Sequence, residues 1–335
     1  MEKIKMLITR MLLPQDVNYI RSGLDKEVKG QYDLLDPQDY SERNLVALID
    51  DIDILLGPYV TKQMISKAHR LKLIQIPWTG LDSFNFDEIS EYEGVVCNSH
   101  SNSSAVAEFG VAILLDLLKK ISYHNDILKR ADDWNRKETE YSLKSRMLKN
   151  ENVFILGYGN IGSKIASYLK SFQCTITGFR NHEKYFDNDI LIDNIENINS
   201  KLSECSVLIN CLPLTASTKD FINKDFLNLL DKQCIIINLS RAEVVNENDL
   251  YYALVGKKIA GYGSDVWWKS PQRSESYCNV SNNENFKNLP NVILSPHRAA
   301  YIENSLPHLD DVITNLINFI QNKDLISVVS KDKKY

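Results

Sequence analysis

Val153-Phe154-Ile155-Leu156-Gly157-Tyr158-Gly159-Asn160-Ile161-Gly162 decides the fold. An apolar run breaks into a GxGxxG turn, after which Ile161, Ile165, Ala166 and Leu169 recur at helical spacing. Thr175-Ile176-Thr177-Gly178-Phe179 then reads as a second strand, completing a βαβ unit of the dinucleotide-binding kind. Gly157 permits the tight turn, Gly159 lets backbone approach a pyrophosphate, and Gly162 lets the helix pack against the strand. Asn160 and Ile161 open the helix, whose free N–H groups and positive dipole end face the phosphates. Arg180 lies eighteen residues after Gly162, where such units place an acid on the ribose. A carboxylate there accepts hydrogen bonds from the ribose hydroxyls and repels a 2′-phosphate. A guanidinium attracts that phosphate, and Asn181 and His182 add donors. The expected cofactor is therefore NADP(H), with NAD as the alternative.

Outward from this unit the chain alternates apolar runs with helical stretches, the pattern of parallel α/β sheets. Before it, Lys5–Thr9, Val46–Leu55, Leu71–Ile76 and Gly94–Cys97 read as strands, with helices over Asp16–Leu24 and Thr61–His69. Polar Ser99-His100-Ser101-Asn102-Ser103-Ser104 reads as a hinge, with Ser104 as N-cap of a long helix near Val106–Leu118. After it, Val207–Asn210, Ile235–Asn238, Ile259–Gly263 and Val292–Leu294 bring the second series to six strands. Phe186–Ser200, rich in Asn and Asp, reads as a surface connection. A last helix near Tyr301–Gln321 arrives once that series is complete, so it is expected to return to the first domain. The fold expected is α/β, with two doubly wound parallel-sheet domains. A Rossmann nucleotide domain (102–301) is inserted into a flavodoxin-like substrate domain (1–101 and 302–335).

The chain's 335 residues suit two domains, and a net charge of -5 with pI near 5.8 gives no basic footprint for nucleic acid. No apolar run reaches transmembrane length, and Met1–Lys5 reads as the start of a strand rather than a signal peptide. A cytoplasmic protein without membrane or nucleic-acid partners is the expectation. Its six cysteines form no CxxC pair, so neither zinc nor disulfide chemistry is expected.

Several motifs, in order, resemble those of the D-isomer-specific 2-hydroxyacid dehydrogenase family, which includes glycerate, phosphoglycerate, D-lactate, formate and phosphite dehydrogenases. They are Asn102-Ser103-Ser104-Ala105-Val106-Ala107-Glu108, the glycine turn, Cys211-Leu212-Pro213-Leu214-Thr215, Ile237-Asn238-Leu239-Ser240-Arg241-Ala242, Gly263-Ser264-Asp265-Val266-Trp267 and Leu294-Ser295-Pro296-His297. The resemblance implies a hydride transfer between nicotinamide and a small 2-oxo or 2-hydroxy acid. Arg241, after an apolar strand, is then the carboxylate anchor, suited to a bidentate charge-assisted pair. His297 is the acid/base, since imidazole titrates near neutrality. Thr79 and Gly80, in Pro77-Trp78-Thr79-Gly80-Leu81-Asp82, match the positions whose backbone N–H groups bind the substrate carboxylate. Asn102 matches an asparagine facing the substrate, and Tyr59 is a candidate pocket wall. Leu212 and Pro213 line the cofactor site, and Asp265 lies near its nicotinamide end. A homodimer is implied, with the helix from Ala105 at its interface. Trp134 is assigned packing and no chemistry.

One family residue is missing. The glutamate expected five residues after Asp265 is Ser270 here, leaving Glu275 or Glu284 as possible substitutes. A hydroxyl orients an imidazole but does not stabilise its charged form as a carboxylate does. Two other readings therefore stay open: a dehydrogenase of formate or another small anion, and a nucleotide-sensing, non-enzymatic relative like the family's transcriptional corepressors.

Overall fold

The computed structural model describes residues 2–131, 144–269, 280–283 and 285–331. The chain divides into two compact units, Met1–Asn102 with Ala300–Tyr335, and Ser103–Ala299. Trp134, Ser270, Glu275 and Glu284 lie outside the described residues.

In the first unit five parallel strands, β1 (Ile4–Ile8), β2 (Tyr32–Leu35), β3 (Ile54–Leu56), β4 (Leu73–Gln75) and β5 (Val95–Cys97), stand in the order β2-β1-β3-β4-β5. This is the flavodoxin-like order, with its topological switch between β1 and β3. Side chains alternate along each strand, so Leu7, Leu55 and Ile74 face one core while Met6, Ile8, Ile54, Leu56 and Leu73 face the other. The helices α1 (Pro14–Glu27), α2 (Glu42–Leu48) and α3 (Lys62–Lys67) connect the strands. Val46–Leu55, expected to be one strand, is instead the end of α2, a turn and the start of β3. Ser41 caps α2 by accepting from the Asn44 N–H, and Leu45, Val46 and Ile49 bury one helical face. Four β-branched residues in that run, Val46, Ile49, Ile52 and Ile54, mask a 3.6-residue period.

The second unit opens with α4 (Ser103–Lys119) and α5 (Ile121–Ala131). Ser104 is the second residue of α4 rather than its N-cap, because the helix begins one residue earlier. There follow β6 (Asn152–Leu156), α6 (Asn160–Lys170), β7 (Thr175–Arg180), β8 (Tyr185–Asp187), β9 (Ile190–Asn194), β10 (Val207–Asn210), α7 (Lys224–Leu229), β11 (Ile235–Asn238), α8 (Glu247–Val255), β12 (Gly261–Ser264) and β13 (Val292–Leu294). These strands form one sheet of eight, β13-β12-β11-β10-β6-β7-β9-β8, parallel except for the β8–β9 pair. The surface connection expected over Phe186–Ser200 is thus mostly a hairpin. Asn188 and Asp189 take φ of 48° and 70°, the left-handed pair that a two-residue hairpin turn demands, and Ile190 and Ile192 are buried.

After Ala299 the chain returns to the first unit as α9 (Asp310–Ile320). Val312 and Leu316 join Val17, Ile20 and Leu24 of α1 in one core. Asn315, fully buried, donates to Gln75 Oε1 at 2.8 Å and accepts from the Ile326 N–H at 2.8 Å, which ties this return to β4. Val328 then bridges antiparallel to Cys97 at the β5 edge. No helix among the described residues is long and apolar enough to cross a membrane.

Candidate active site

Parallel strands deliver their C-terminal ends to one edge of a sheet, and the loops leaving that edge are where ligands bind. In the second unit the register aligns Leu156 with Asn210, Asn210 with Asn238, Asn238 with Ser264, and Ser264 with Leu294. The segments starting at Gly157, Cys211, Leu239, Asp265 and Ser295 therefore leave that edge side by side. Together they carry Gly157, Gly159, Asn160, Ile161, Gly162, Leu212, Pro213, Arg241, Asp265 and His297. Arg180 closes β7 on the same edge, paired with Asn194.

The glycine turn has the shape a dinucleotide phosphate needs. Gly157 has φ of 83°, and a Cβ there would stand 2.6 Å from the Cys211 carbonyl oxygen, so the turn lies directly on the peptide leading to Leu212. A Cβ on Gly162 would meet the Gly157 oxygen at 2.5 Å, which is the close helix–strand approach. At Gly159 a Cβ would meet nothing within 4 Å. Gly159 is also the N-cap of α6 and offers no side chain to its first N–H groups. Open space above an uncapped helix start fits a pyrophosphate. Tyr158 donates its hydroxyl to Asp187 at 3.0 Å, and burial with that carboxylate pushes the phenol up. The turn is thereby tied to the β8–β9 hairpin. On the same hairpin, the Tyr185 hydroxyl lies 3.4 Å from an Arg180 guanidinium nitrogen.

The loops around Arg241 rest on a buried polar ladder. Asn210 and Asn238, both fully buried, end β10 and β11, and Asn210 Nδ2 donates to Asn238 Oδ1 at 3.0 Å. Asn210 Oδ1 accepts from the Leu212 N–H at 3.2 Å, and Asn238 Oδ1 from the Ser240 N–H at 3.1 Å. Asn238 Nδ2 donates to the Arg241 carbonyl at 3.1 Å and to the Tyr262 hydroxyl at 3.2 Å. Ser240 adds a hydroxyl bond to the Leu212 carbonyl. The loop that carries half-buried Arg241 is thus cross-linked to the Leu212 loop. Sequence reading assigned neither asparagine a role, although a terminal Asn on two apolar strands was a visible signal.

His297 is exposed and has φ of 56°, a left-handed conformation that costs a non-glycine residue about 1 kcal/mol. Asp265 holds it there. Its carboxylate, 5% exposed, accepts from Ser295 Oγ at 2.5 Å and from the backbone N–H groups of Arg298 at 2.7 Å and Ala299 at 2.9 Å. Trp267 Nε1 donates to the Ser295 carbonyl at 2.7 Å. Asp265, expected beside the nicotinamide, has its described contacts with the histidine loop.

In the first unit the loops after β4 and β5 interlock. Thr79 Oγ1 donates to the Ser99 carbonyl at 2.7 Å and lies 3.2 Å from Asn102 Oδ1, while Asn98 Nδ2 donates to the Thr79 carbonyl at 2.8 Å. This joins Thr79 and Asn102 and leaves the Asn102 amide nitrogen available as a donor. Tyr59 follows Gly57-Pro58 after β3 and is 39% exposed. Burial pushes the Cys97 and Cys211 thiols up to about 12, so neither is a nucleophile near neutrality. Among the described residues no group of three or more His, Cys, Asp or Glu could hold a metal ion.

Comparison with known proteins agrees with this layout. The chain is 28% identical over 294 residues to the 2-ketogluconate reductase of Gluconobacter oxydans, 86% of this chain and 88% of that one. It is 26% identical over 293 residues to the D-3-phosphoglycerate dehydrogenase of Methanocaldococcus jannaschii, 85% of this chain, but spans only about half (53%) of that protein. Two solved structures share the fold. One is a probable 2-hydroxyacid dehydrogenase from Rhizobium etli in complex with NADP, HEPES and L(+)-tartaric acid (TM-score 0.80, 18% identity, 100% of each chain). The other is the NAD-complexed D-isomer specific 2-hydroxyacid dehydrogenase of Lactobacillus delbrueckii (TM-score 0.79, 22% identity, 98% of this chain and 100% of that one). Residues 111–299 match the family described as D-isomer specific 2-hydroxyacid dehydrogenase, NAD binding domain, and the chain belongs to that family.

Proposed function

We propose that the chain is an NADP-preferring reductase of a small 2-oxo acid, also able to oxidise the corresponding 2-hydroxy acid. The observation that carries this reading is the C-terminal edge of the second sheet. There the glycine turn, the Arg241 loop supported by Asn210 and Asn238, and the His297 loop clamped by Asp265 leave neighbouring strands. Gly157, Gly159, Asn160, Ile161 and Gly162 hold the pyrophosphate, and Leu212 and Pro213 border the nucleotide. Nicotinamide, when bound, supplies the hydride. Arg241 pairs with the substrate carboxylate through two charge-assisted bonds, and within the first unit Thr79 and Gly80 keep the substrate-binding role that the family resemblance implies. His297 gives its proton to the substrate oxygen as the carbonyl becomes an alcohol, and takes it back in the reverse direction. Asn102 donates its free amide to the substrate.

Arg180 supports NADP over NAD, because its guanidinium stands where a ribose carboxylate would repel a 2′-phosphate. The test is kcat/KM with NADPH and NADH on glyoxylate, hydroxypyruvate and pyruvate, in the wild type and Arg180→Asp. The expected result is at least a tenfold preference for NADPH that Arg180→Asp reverses; a wild-type preference for NADH refutes it. Ser270 favours a second reading, a dehydrogenase of formate or another small anion, recognised by NADP+ reduction with formate and none with 2-hydroxy acids. A homodimer is also proposed on family grounds, and light scattering giving the mass of one chain overturns it.

A further inference from the structure

In the first unit, Arg10 stands two residues past the end of β1, on the ligand-bearing edge of that sheet. It is exposed, and its guanidinium carbon lies 5.5 Å from the centroid of the Trp78 ring. Trp78 immediately precedes Thr79 and Gly80. The other arginines seen to be engaged in this unit serve the scaffold: Arg21 donates to the Leu34 carbonyl, and Arg70 pairs with Asp53 and Glu2. Among the described residues Arg10 makes no hydrogen bond and no ion pair; the Trp78 ring is what fixes it. A cation over an indole ring keeps its charge, and with no hydrogen bond or ion pair among the described residues the Arg10 N–H fork is unspent, which suits bidentate capture of an anion.

We propose that Arg10 determines substrate specificity by receiving a second anionic group, a carboxylate or a phosphate, on the 2-oxo acid. This inference rests on the reductase reading above. It follows that the substrate class is dianionic: the 2-oxo carboxylate at the Thr79–Gly80 loop and a distal anion at Arg10. Lysine would keep the charge at this position but lose the planar fork.

The test compares wild type, Arg10→Gln and Arg10→Lys with NADPH on glyoxylate and pyruvate (one anion), 2-oxoglutarate (a second carboxylate) and 3-phosphohydroxypyruvate (a second phosphate). The wild type is expected to favour one dianionic arm at least tenfold in kcat/KM, through KM, and the arm favoured identifies the group. Arg10→Gln loses that preference while keeping kcat/KM for glyoxylate within threefold, and Arg10→Lys retains part of it. No dianion preference in the wild type, or an equal loss on all four substrates in Arg10→Gln, overturns the proposal. Calorimetric titration of the same compounds into NADP+-loaded protein separates the two failures. Absence of all turnover refutes the reductase reading, whereas equal dianion affinities of wild type and Arg10→Gln refute the role of Arg10.

Discussion

Asp265→Asn tests what holds His297 in place. The carboxylate accepts three hydrogen bonds, two of them from the backbone immediately after His297. Hydrogen bonds to a charged group contribute about 1.5–3 kcal/mol each, though not additively within one cluster. Asparagine is isosteric and keeps one acceptor oxygen, but it loses the charge and turns an amide NH2 toward donors. The loss of at least one bond, with weakening of the others, predicts about 2–3 kcal/mol of destabilisation. Those bonds also offset the left-handed backbone of His297, so the loop should relax and displace the imidazole. A displacement near 1 Å costs about 100-fold in rate. Urea unfolding gives the first quantity, steady-state NADPH oxidation the second, and fluorescence titration the NADPH affinity, which should stay within threefold. A variant that keeps its kcat but loses NADPH affinity would assign Asp265 to the nicotinamide and not to the support of His297.

Gly159→Ala should fold with nearly unchanged stability, because its Cβ meets nothing within 4 Å, yet lose at least tenfold in NADPH affinity as the methyl occupies phosphate space. Gly157→Ala should do the opposite to the fold: at φ 83° and 2.6 Å from the Cys211 oxygen, it should lower the urea midpoint clearly. Arg241→Met should reduce kcat/KM by about 100- to 1000-fold through loss of a charge-assisted pair, with NADPH affinity unchanged by titration. His100 and His308 have their pKa values lowered, in each case first by burial; Asp311 opposes this at His100, and Asp16 and Asp310 oppose it at His308. Below the unfolded value near 6.5 the unfolded chain therefore binds more protons than the native one, so stability should fall as pH drops from 7.5 to 5.5. Replacing both by Asn should flatten that dependence of the urea midpoint.

The parts of the fold legible in sequence were those set by local chemistry. Five isolated apolar runs became β6, β7, β10, β11 and β13, and the glycine turn had one reading because three glycines had three separate steric duties. Val46–Leu55 misled because two elements meet there without a glycine or proline between them. The β8–β9 hairpin hid because its turn uses Asn188-Asp189 in place of Asn-Gly, and of its apolar residues just Ile190 and Ile192 are buried. Of the candidate site, residue types after strand ends were visible, whereas their support was not. The Asn210–Asn238 pair depends on parallel register, the grip of Asp265 spans thirty residues to Ser295, and the Arg10–Trp78 contact joins the segments that follow β1 and β4. No local pattern encodes such partnerships.

His297, as the proposed proton donor of a 2-oxo acid reductase, is the residue on which the proposed function turns. The direct measurement is kcat for NADPH oxidation with the best 2-oxo acid, in the wild type and His297→Ala, alongside NADPH affinity by fluorescence titration. A loss of about 100- to 10,000-fold in kcat is expected, with affinity within threefold. Retained turnover in His297→Ala, or none in the wild type across the substrate panel, contradicts it.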